Sequence, residues 1–247
     1  TGEYVLFIDG DDWLELGCIE RLYKEATIKN ADIVLYNFFW SYDNNKKSDI
    51  GFNSGNDEIL TNPLKCLFLG HISPCIWTKF IRKSFIDNNN ISFPENISFA
   101  EDLATVSSLF IFKPNIGLVN ENLYNYYQRN NSITKEVSSK ILEVDKAIKF
   151  IKEQLIKNNI YGKYKKEFER MIYLHLYVQR FLTATKVEDI HREVYNQYKK
   201  YNINIRKNKY IRHLINSQPI SLRIRMYSYN KSYFCGKCYD LMRKCFI

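Results

Sequence analysis

The chain of 247 residues is 45% hydrophobic and 15% aromatic, a globular composition with enough apolar mass for a sizeable core. No stretch approaches the roughly 18 apolar residues of a membrane-spanning helix, and no charged-then-apolar signal peptide is visible within these residues. The net charge of +9 is uneven, with −5 over residues 1–135 and +14 over residues 136–247. An acidic front part suits a cation, and a basic rear part suits a polyanionic partner.

The front half alternates apolar and polar segments in the manner of an α/β fold. In chain order the pattern predicts a buried strand at 4–8, a helix at 13–27, a strand at 31–39, a polar loop at 41–56, a short helix from 63 to 69, an aromatic and basic stretch at 72–85, a turn-rich connector at 88–96, a helix at 100–112, and strands at 116–119 and 123–127. The strands are expected to form one sheet.

After Lys135 the pattern becomes helical. Two apolar stripes with helical spacing are formed by Ile141, Val144, Ile148, Ile151 and Leu155, and by Phe168, Ile172, His175 and Leu182. We therefore expect two domains, at 1–135 and 136–247. The six cysteines show no disulfide spacing, and the Cys235–Cys238 pair lacks a second pair for zinc, so the thiols are expected to be reduced in a cytosolic setting.

Three carboxylates follow the first apolar run directly. Tyr4–Ile8 leads into Asp9, Asp11 and Asp12. Such acids can hold Mg²⁺ or Mn²⁺ through one or two carboxylates while phosphate oxygens of a ligand fill other positions. The alternative is helix capping, with Asp12 as N-cap and Glu15 three residues later. Capping explains one acid and leaves the other two, so the metal interpretation is favoured, with Asp12 the weakest ligand.

The segment Gly2–Trp13 resembles the DxD segment of family 2 glycosyltransferases with the GT-A fold. The resemblance implies that a nucleotide-sugar donor is bound through a divalent metal and that the sugar passes to an acceptor hydroxyl with inversion. By position, Asp9 and Asp11 are the DxD carboxylates. Asp11 is expected to bind the metal directly, and Asp9 to contact the ribose or a metal-bound water.

A second acidic motif, Glu101–Asp102, stands at the start of the predicted helix at 100–112. Inverting displacement needs a base that takes the proton of the acceptor hydroxyl. The alternative is a capping box made by Ser98 and Glu101, because acids are favoured in the first turn of a helix. The resembled family has a Glu-Asp motif at this distance that supplies the base. We therefore expect Asp102 to be the base, with Glu101 as second choice.

Two further segments resemble the same family. Cys75–Arg82 contains W-x-K-x-x-R, in which Trp77 is expected either to stack on a sugar or to pack in the core, and Lys79 either to reach toward phosphate or to be solvated. Residues 126–134 resemble the Y-x-R-x-x-S-x-T segment. There, Arg129 is expected to pair with the leaving diphosphate, and the alternative is a surface arginine.

The last fifty residues join aromatic and aliphatic side chains to twelve cations and one acid, Asp240. Amphipathic basic segments of this kind lie on anionic membrane surfaces. Two alternatives are a solvated helical surface packed on the catalytic domain and, less favoured, a nucleic-acid patch. The membrane interpretation suits an acceptor that is a glycan or a lipid-linked sugar, and it places the protein in the cytoplasm, peripheral on the inner face of the membrane.

The resemblance covers residues 1–135 and implies a partial GT-A sheet, Rossmann-like, with a C-terminal helical, basic extension. The family's first strands and base-binding acids are not in this sequence. We therefore expect an open sheet edge beside the first strand and no activity from this chain alone. Bacterial cell-surface polysaccharide or lipopolysaccharide synthesis is the usual context of such enzymes. The alternatives are a haloacid-dehalogenase-type phosphatase and a non-catalytic membrane-associated module.

Overall fold

The computed structural model describes residues 2–91, 93–128, 139–184 and 187–244. Its strands are β1 Tyr4–Leu6, β2 Trp13–Leu14, β3 Ile33–Ser41, β4 Lys46–Asp49, β5 Lys79–Arg82 and β6 Ile116–Tyr127. Its α-helices are α1 Cys18–Lys29, α2 Glu58–Thr61, α3 Pro63–Phe68, α4 Lys83–Asn88, α5 Glu101–Ile111, α6 Val144–Lys157, α7 Tyr161–Ile172, α8 Glu188–Lys200, α9 Lys209–Asn216, α10 Ile220–Lys231 and α11 Tyr233–Lys244. Short 3₁₀ turns occupy Ile76–Thr78 and Ser139–Glu143, and a π-helix occupies Tyr173–Phe181.

By compactness the described chain divides into two units, Thr1–Tyr164 and Lys165–Ile247. The predicted domains at 1–135 and 136–247 stay a prediction of functional organisation. No helix within the described ranges is long and apolar enough to span a bilayer.

The first unit contains one mixed sheet in the order β1-β5-β3-β6-β2, with β4 also paired to β3. β3 and β6 run parallel, and all other neighbours are antiparallel. β3 is the central strand, and Ile33–Phe38 are buried. The predicted strand at 31–39 is confirmed, and α1 covers this sheet with the buried side chains of Leu22 and Ala26.

Strand β1 differs from the expectation of a buried strand over 4–8. It ends at Leu6 and is only half-buried, and Ile8 is 50% exposed. The reason is its place at the end of the sheet order, where it pairs only with β5 among the described strands. The expected open edge beside this strand is therefore present in the structure.

Three other expectations on elements are wrong. The helix predicted from residue 13 starts at Cys18, because Trp13–Leu14 pair with Tyr124 and Asn125 of β6. The polar loop at 41–56 contains β4, which pairs with β3 as a hairpin. The two strands expected at 116–119 and 123–127 are one strand, whose pairing with β3 shifts register opposite Tyr36–Phe38. This irregularity accommodates the polar residues between the two apolar runs.

The helical predictions are largely confirmed. Helix α5 ends before Pro114, as expected, and α3 lies within the predicted 63–69. All five apolar residues of the stripe from Ile141 to Leu155 are buried. In the second unit the core is aromatic: Tyr173 stacks on Tyr177 at 4.7 Å, and Tyr177 contacts Phe181 and Tyr198.

Candidate functional site

The acidic cluster Asp9, Asp11 and Asp12 occupies a tight turn between β1 and β2. The amide of Asp12 donates to the carbonyl oxygen of Asp9 at 3.1 Å, which closes the turn. Asp9 is exposed, whereas Asp11 and Asp12 are half-buried. The sheet thus presents three carboxylates on one short segment directly after an edge strand.

Asp12 anchors this turn to β6. Its carboxylate accepts from the Tyr124 hydroxyl at 2.6 Å and from the Tyr127 amide at 2.8 Å, and the same hydroxyl accepts from the Asp9 amide at 3.1 Å. Burial raises the pKa of Asp12, and these two hydrogen bonds oppose the rise. The capping interpretation of Asp12 is wrong, because α1 begins at Cys18, after Gly17, and not at the expected residue 13.

Asp9 and Asp11 form the part of the cluster that suits a cation. The pKa of Asp9 is raised, first by partial desolvation of its carboxyl group, although the residue as a whole is exposed, and then by the negative charge of Asp11. Two carboxylates that repel each other in this way create a negative potential, which a divalent cation relieves. No group of three or more Asp, Glu, His or Cys side chains within the described ranges is placed to hold a metal. The ligand set assigned from the sequence, Asp9, Asp11 and Asp12, stays a prediction.

Asp102 lies in the first turn of α5, and its side chain is half-buried. Its Oδ2 accepts from the amide of Ile76 at 3.1 Å. Burial raises the pKa of Asp102 to about 6, and the charge of Asp9 adds to the rise. Asp9 and Asp102, although 93 residues apart in the sequence, therefore act on each other electrostatically in the fold.

Glu101 differs from Asp102 in that its side chain is exposed. The expected capping box with Ser98 is wrong. Helix α5 follows Ala100 in a left-handed conformation (φ 65°) without a side-chain cap, and Ser98 instead donates its amide and hydroxyl to Glu143, at 2.8 and 2.9 Å. Glu101 therefore has no capping role here, and the order of preference between Asp102 and Glu101 stays a prediction.

Lys79 is completely buried, so the alternative of a solvated lysine is wrong. Its ammonium donates to the carbonyl oxygens of Ser73 and Cys75 and to the hydroxyl of Thr78. Burial lowers its pKa to about 8. These bonds fix the loop whose Ile76 amide binds Asp102, which is a role that the sequence did not reveal. Contact of Lys79 with a donor phosphate stays a prediction.

Trp77 packs in the core of the first unit. Its ring stacks on Tyr124 at 4.6 Å and on Tyr126 at 5.3 Å, and it meets Phe38 edge-on at 4.8 Å. The structure therefore shows the second of its two predicted roles, and stacking on a sugar stays a prediction. The proposed diphosphate partner Arg129 lies outside the described residues.

Sequence reasoning missed Tyr124, which joins the acidic turn to β6 through Asp9 and Asp12. The only available signal was its place among the three tyrosines of residues 124–127, a pattern that predicts a strand and does not reveal the hydrogen bonds. Burial and the hydrogen bond to Asp12 raise the pKa of Tyr124, so its hydroxyl stays a donor at neutral pH.

The second unit has a cavity of its own, of about 660 Å³. Its lining includes the basic side chains of Lys199, Arg206 and Lys231, together with several asparagines, and no acid. Asp240, the single acid after Lys199, is paired with Arg225 at 2.7 Å. A cavity with this lining favours an anionic group.

Three kinds of comparison with known proteins agree. Residues 1–86 match the family model described as "Glycosyl transferase family 2". The chain is 28% identical over 218 residues to the "Cholesterol galactosyltransferase" of Borreliella burgdorferi, covering 83% of this chain and 60% of that protein. It is 29% identical over 184 residues to the "Putative glycosyltransferase EpsH" of Bacillus subtilis, covering 70% and 52%. The chain thus spans between half and two thirds of these relatives' lengths.

The crystal structure of S. aureus TarS 1-349 has a similar fold, with a TM-score of 0.61 at 15% identity, over 100% of this chain and 68% of that one. The likeness supports the expected fold class, an α/β GT-A sheet with a helical C-terminal part. The family model matches residues 1–86, about a third of the chain, which hold the DxD turn and the strands behind it, and over this part the chain is similar to glycosyl transferase family 2.

Proposed function

We propose that these residues form the metal and base side of a site that transfers a sugar, with inversion, from a nucleotide-diphosphate sugar to an acceptor hydroxyl. The observation that carries the proposal is that the two acidic motifs face the same loop: Asp102 accepts from the amide of Ile76, and the charges of Asp102 and Asp9 both act on the neighbouring thiol of Cys75. The acidic turn after β1 and the start of α5 therefore lie near each other. In sugar transfer, the diphosphate leaving group and the acceptor hydroxyl both lie at the same sugar carbon, so the residues that serve them must lie close together.

The carboxylates of Asp9 and Asp11 fit Mg²⁺ or Mn²⁺, because both ions prefer oxygen ligands and are commonly held by one or two carboxylates plus substrate phosphates. Held by Asp9 and Asp11, such a cation would supply positive charge to offset the charge of the departing diphosphate. Asp12 contributes indirectly, since its carboxylate is already bonded to Tyr124 and Tyr127.

Asp102 acts as the general base in this proposal. With a pKa of about 6 it is ionised at neutral pH, yet it is more basic than an ordinary carboxylate. The Ile76 amide donates to one of its oxygens, which fixes the orientation of the carboxylate. Lys79 supports this arrangement by fixing the loop that carries Ile76.

The acceptor is proposed to be a glycan or lipid-linked sugar of a bacterial cell surface, used by a cytoplasmic protein at the inner face of the membrane. One relative is named for a cholesterol acceptor, which is a membrane lipid. In the second unit, Ile220, Ile224, Phe234 and Leu241 are exposed among basic residues, and this pattern is typical of a segment that lies on an anionic membrane. The family match of residues 1–86 favours this proposal over the alternative of a haloacid-dehalogenase-type phosphatase.

The proposal is tested with the Asp102→Asn variant in a version of the protein extended to its relatives' full length. We expect turnover of a nucleotide-sugar to fall at least about a hundredfold, because the base contributes roughly that factor, while Mn²⁺-dependent binding of the donor is kept. The matched control is Asp189→Asn, an exposed aspartate in α8. Unchanged turnover in Asp102→Asn would contradict the assignment. Inactivity of the 247-residue chain alone stays a prediction, and donor hydrolysis by it would contradict that part.

A further inference from the structure

A cavity of about 490 Å³ opens beside the acidic turn in the first unit. It lies between β2, the end of β6 and the loop that joins β3 to β4. Its lining is formed by Trp13, Tyr42, Asp43, Asn44, Asn45, Lys46 and Tyr127. The function proposed above uses none of these side chains.

The rings of this cavity form an aromatic wall. Trp13 and Tyr127 lie with their ring centroids 6.1 Å apart at an angle of 48°, so they enclose a corner and are not stacked on each other. Trp13 is 43% exposed and Tyr42 is 45% exposed, so large apolar faces remain open to a ligand. When an apolar surface covers aromatic side chains of this exposure, the free energy falls, so binding is favoured.

The remaining lining is polar and is held in place. The Tyr42 amide donates to the Asn45 carbonyl oxygen at 2.8 Å, which closes the loop, and the Tyr127 hydroxyl donates to the Asp43 carboxylate. Carboxylate and carboxamide groups around an aromatic wall offer both acceptors and donors to hydroxyl groups. A ligand that fits has an apolar face and a rim of hydroxyls, which is the chemistry of a pyranose ring.

The charges of the lining disfavour a phosphate-bearing ligand. Lys46, the only cation named in the lining, is paired with Glu15 at 2.6 Å. Asp43 adds a negative charge within the cavity. A nucleotide that stacked its base on Trp13 would bring its phosphates to this acidic side, so a neutral sugar is the better occupant.

The cavity also adjoins the acidic turn. Trp13 directly follows Asp12 in the chain, and the backbone amide of Tyr127 donates to the Asp12 carboxylate at 2.8 Å. The aromatic wall and the acidic turn are therefore joined by one hydrogen-bonded connection. From these observations we infer that the cavity is a pyranose subsite, in which Trp13, Tyr42 and Tyr127 stack on a sugar unit of the acceptor and Asp43 binds its hydroxyls.

Its role as an acceptor subsite rests on the proposed function, but the sugar site can be tested without donor or metal. Saturation-transfer difference NMR is recorded on the chain with methyl glucoside, methyl galactoside and N-acetylglucosamine, and with uridine for comparison. We expect ring C–H signals from at least one pyranoside, reduced about fivefold to tenfold in Trp13→Ala and in Tyr42→Ala. Phe112→Ala, which removes another exposed ring of the first unit, is the matched control and should keep the signal.

Asp43→Asn provides a milder variant that leaves the aromatic wall in place, and it should also weaken the signal; circular dichroism verifies that each variant is folded. Absence of signal from all three pyranosides, or signals of equal strength in Trp13→Ala, Tyr42→Ala and the control, would overturn the inference. Signal from uridine alone would also overturn it, in favour of a base-stacking site. Asp11→Asn should keep sugar binding, so failure of the metal proposal and failure of this inference give different results.

Discussion

Asp102 acquires its character from burial at the start of α5, and this predicts a pH dependence. For an acid whose folded pKa is raised, the ionised form is the less favoured one in the fold, so the carboxylate takes up a proton as the pH falls through about 6. The protonated form cannot accept a proton from an acceptor hydroxyl. We expect kcat/KM of a version of the protein that turns the donor over to fall about tenfold per pH unit below 6.

The same burial makes stability depend on pH in the opposite direction to activity. The ionised Asp102 destabilises the fold above pH 6, and this cost disappears as the pH falls from 6 toward the ordinary pKa of a carboxyl. Asp102→Asn is therefore expected to be no less stable than the natural chain at pH 8, as measured by urea unfolding. If kcat/KM stays constant between pH 5 and 7, the raised pKa of Asp102 is contradicted.

At the level of single residues, the acids were predictable and their partners were not. Asp9, Asp11 and Asp102 stand out in the sequence because carboxylates cluster at the ends of apolar runs. The burial of Lys79 could not be predicted, because the sequence around a lysine does not show whether its ammonium is solvated or buried. Only the fold shows that three oxygens surround this ammonium. Long-range hydrogen bonds leave no periodic trace in a sequence.

At the level of elements, long apolar stripes predicted helices correctly, whereas the predictions for short strands were wrong. The stripe Ile141–Leu155 needed only local spacing, and α6 follows it. Trp13–Leu14 were assigned to a helix because the same apolar residues satisfy both periods over so short a run. These residues form a strand because they pair with β6, 110 residues further along the chain, and a prediction from local sequence cannot include that contact.

The hairpin of α10 and α11 predicts a sharp effect of one added methyl group. A Cβ at Gly236 would lie 2.1 Å from the ring of Tyr229, which is fully buried. We expect Gly236→Ala to lower the free energy of unfolding by about 1–3 kcal/mol, because the overpacked ring must shift. Thermal and urea unfolding measure the loss.

Gly162→Ala is the matched control for this substitution. Gly162 lies in the first turn of α7, and a Cβ there meets nothing within 4 Å. This change should leave stability unchanged or raise it by about 0.5–1 kcal/mol, as expected for Gly to Ala in a helix. Equal effects of the two substitutions would show that α10 and α11 do not approach each other as closely as described.

At the level of the whole chain, the uneven charge predicts two separable binding properties. The second unit carries the basic cavity and the exposed apolar residues of α10 and α11. We expect the chain to bind vesicles of phosphatidylglycerol and phosphatidylcholine but not vesicles of phosphatidylcholine alone, with binding weakened by salt. Sedimentation of the vesicles measures the bound fraction.

The charge-reversal pair Arg206→Glu and Lys231→Glu should reduce this vesicle binding, because each cation near the surface contributes about 1 kcal/mol. Lys24→Glu, an exposed lysine of α1, is the control. Equal binding to both kinds of vesicle, or a loss in the control alone, would show that the basic residues form a solvated surface and do not bind an anionic membrane.

A divalent cation at Asp9 and Asp11, near the base Asp102, is the central element of the proposed mechanism. Electron paramagnetic resonance of Mn²⁺ titrated with the protein in the presence of UDP measures this directly, in a version extended to the relatives' full length. The account predicts tight UDP-dependent binding of Mn²⁺ in the natural protein and in Asp102→Asn, and at least about a tenfold weaker binding in Asp11→Asn. Equal Mn²⁺ binding in all three proteins, or none in any of them, would contradict it.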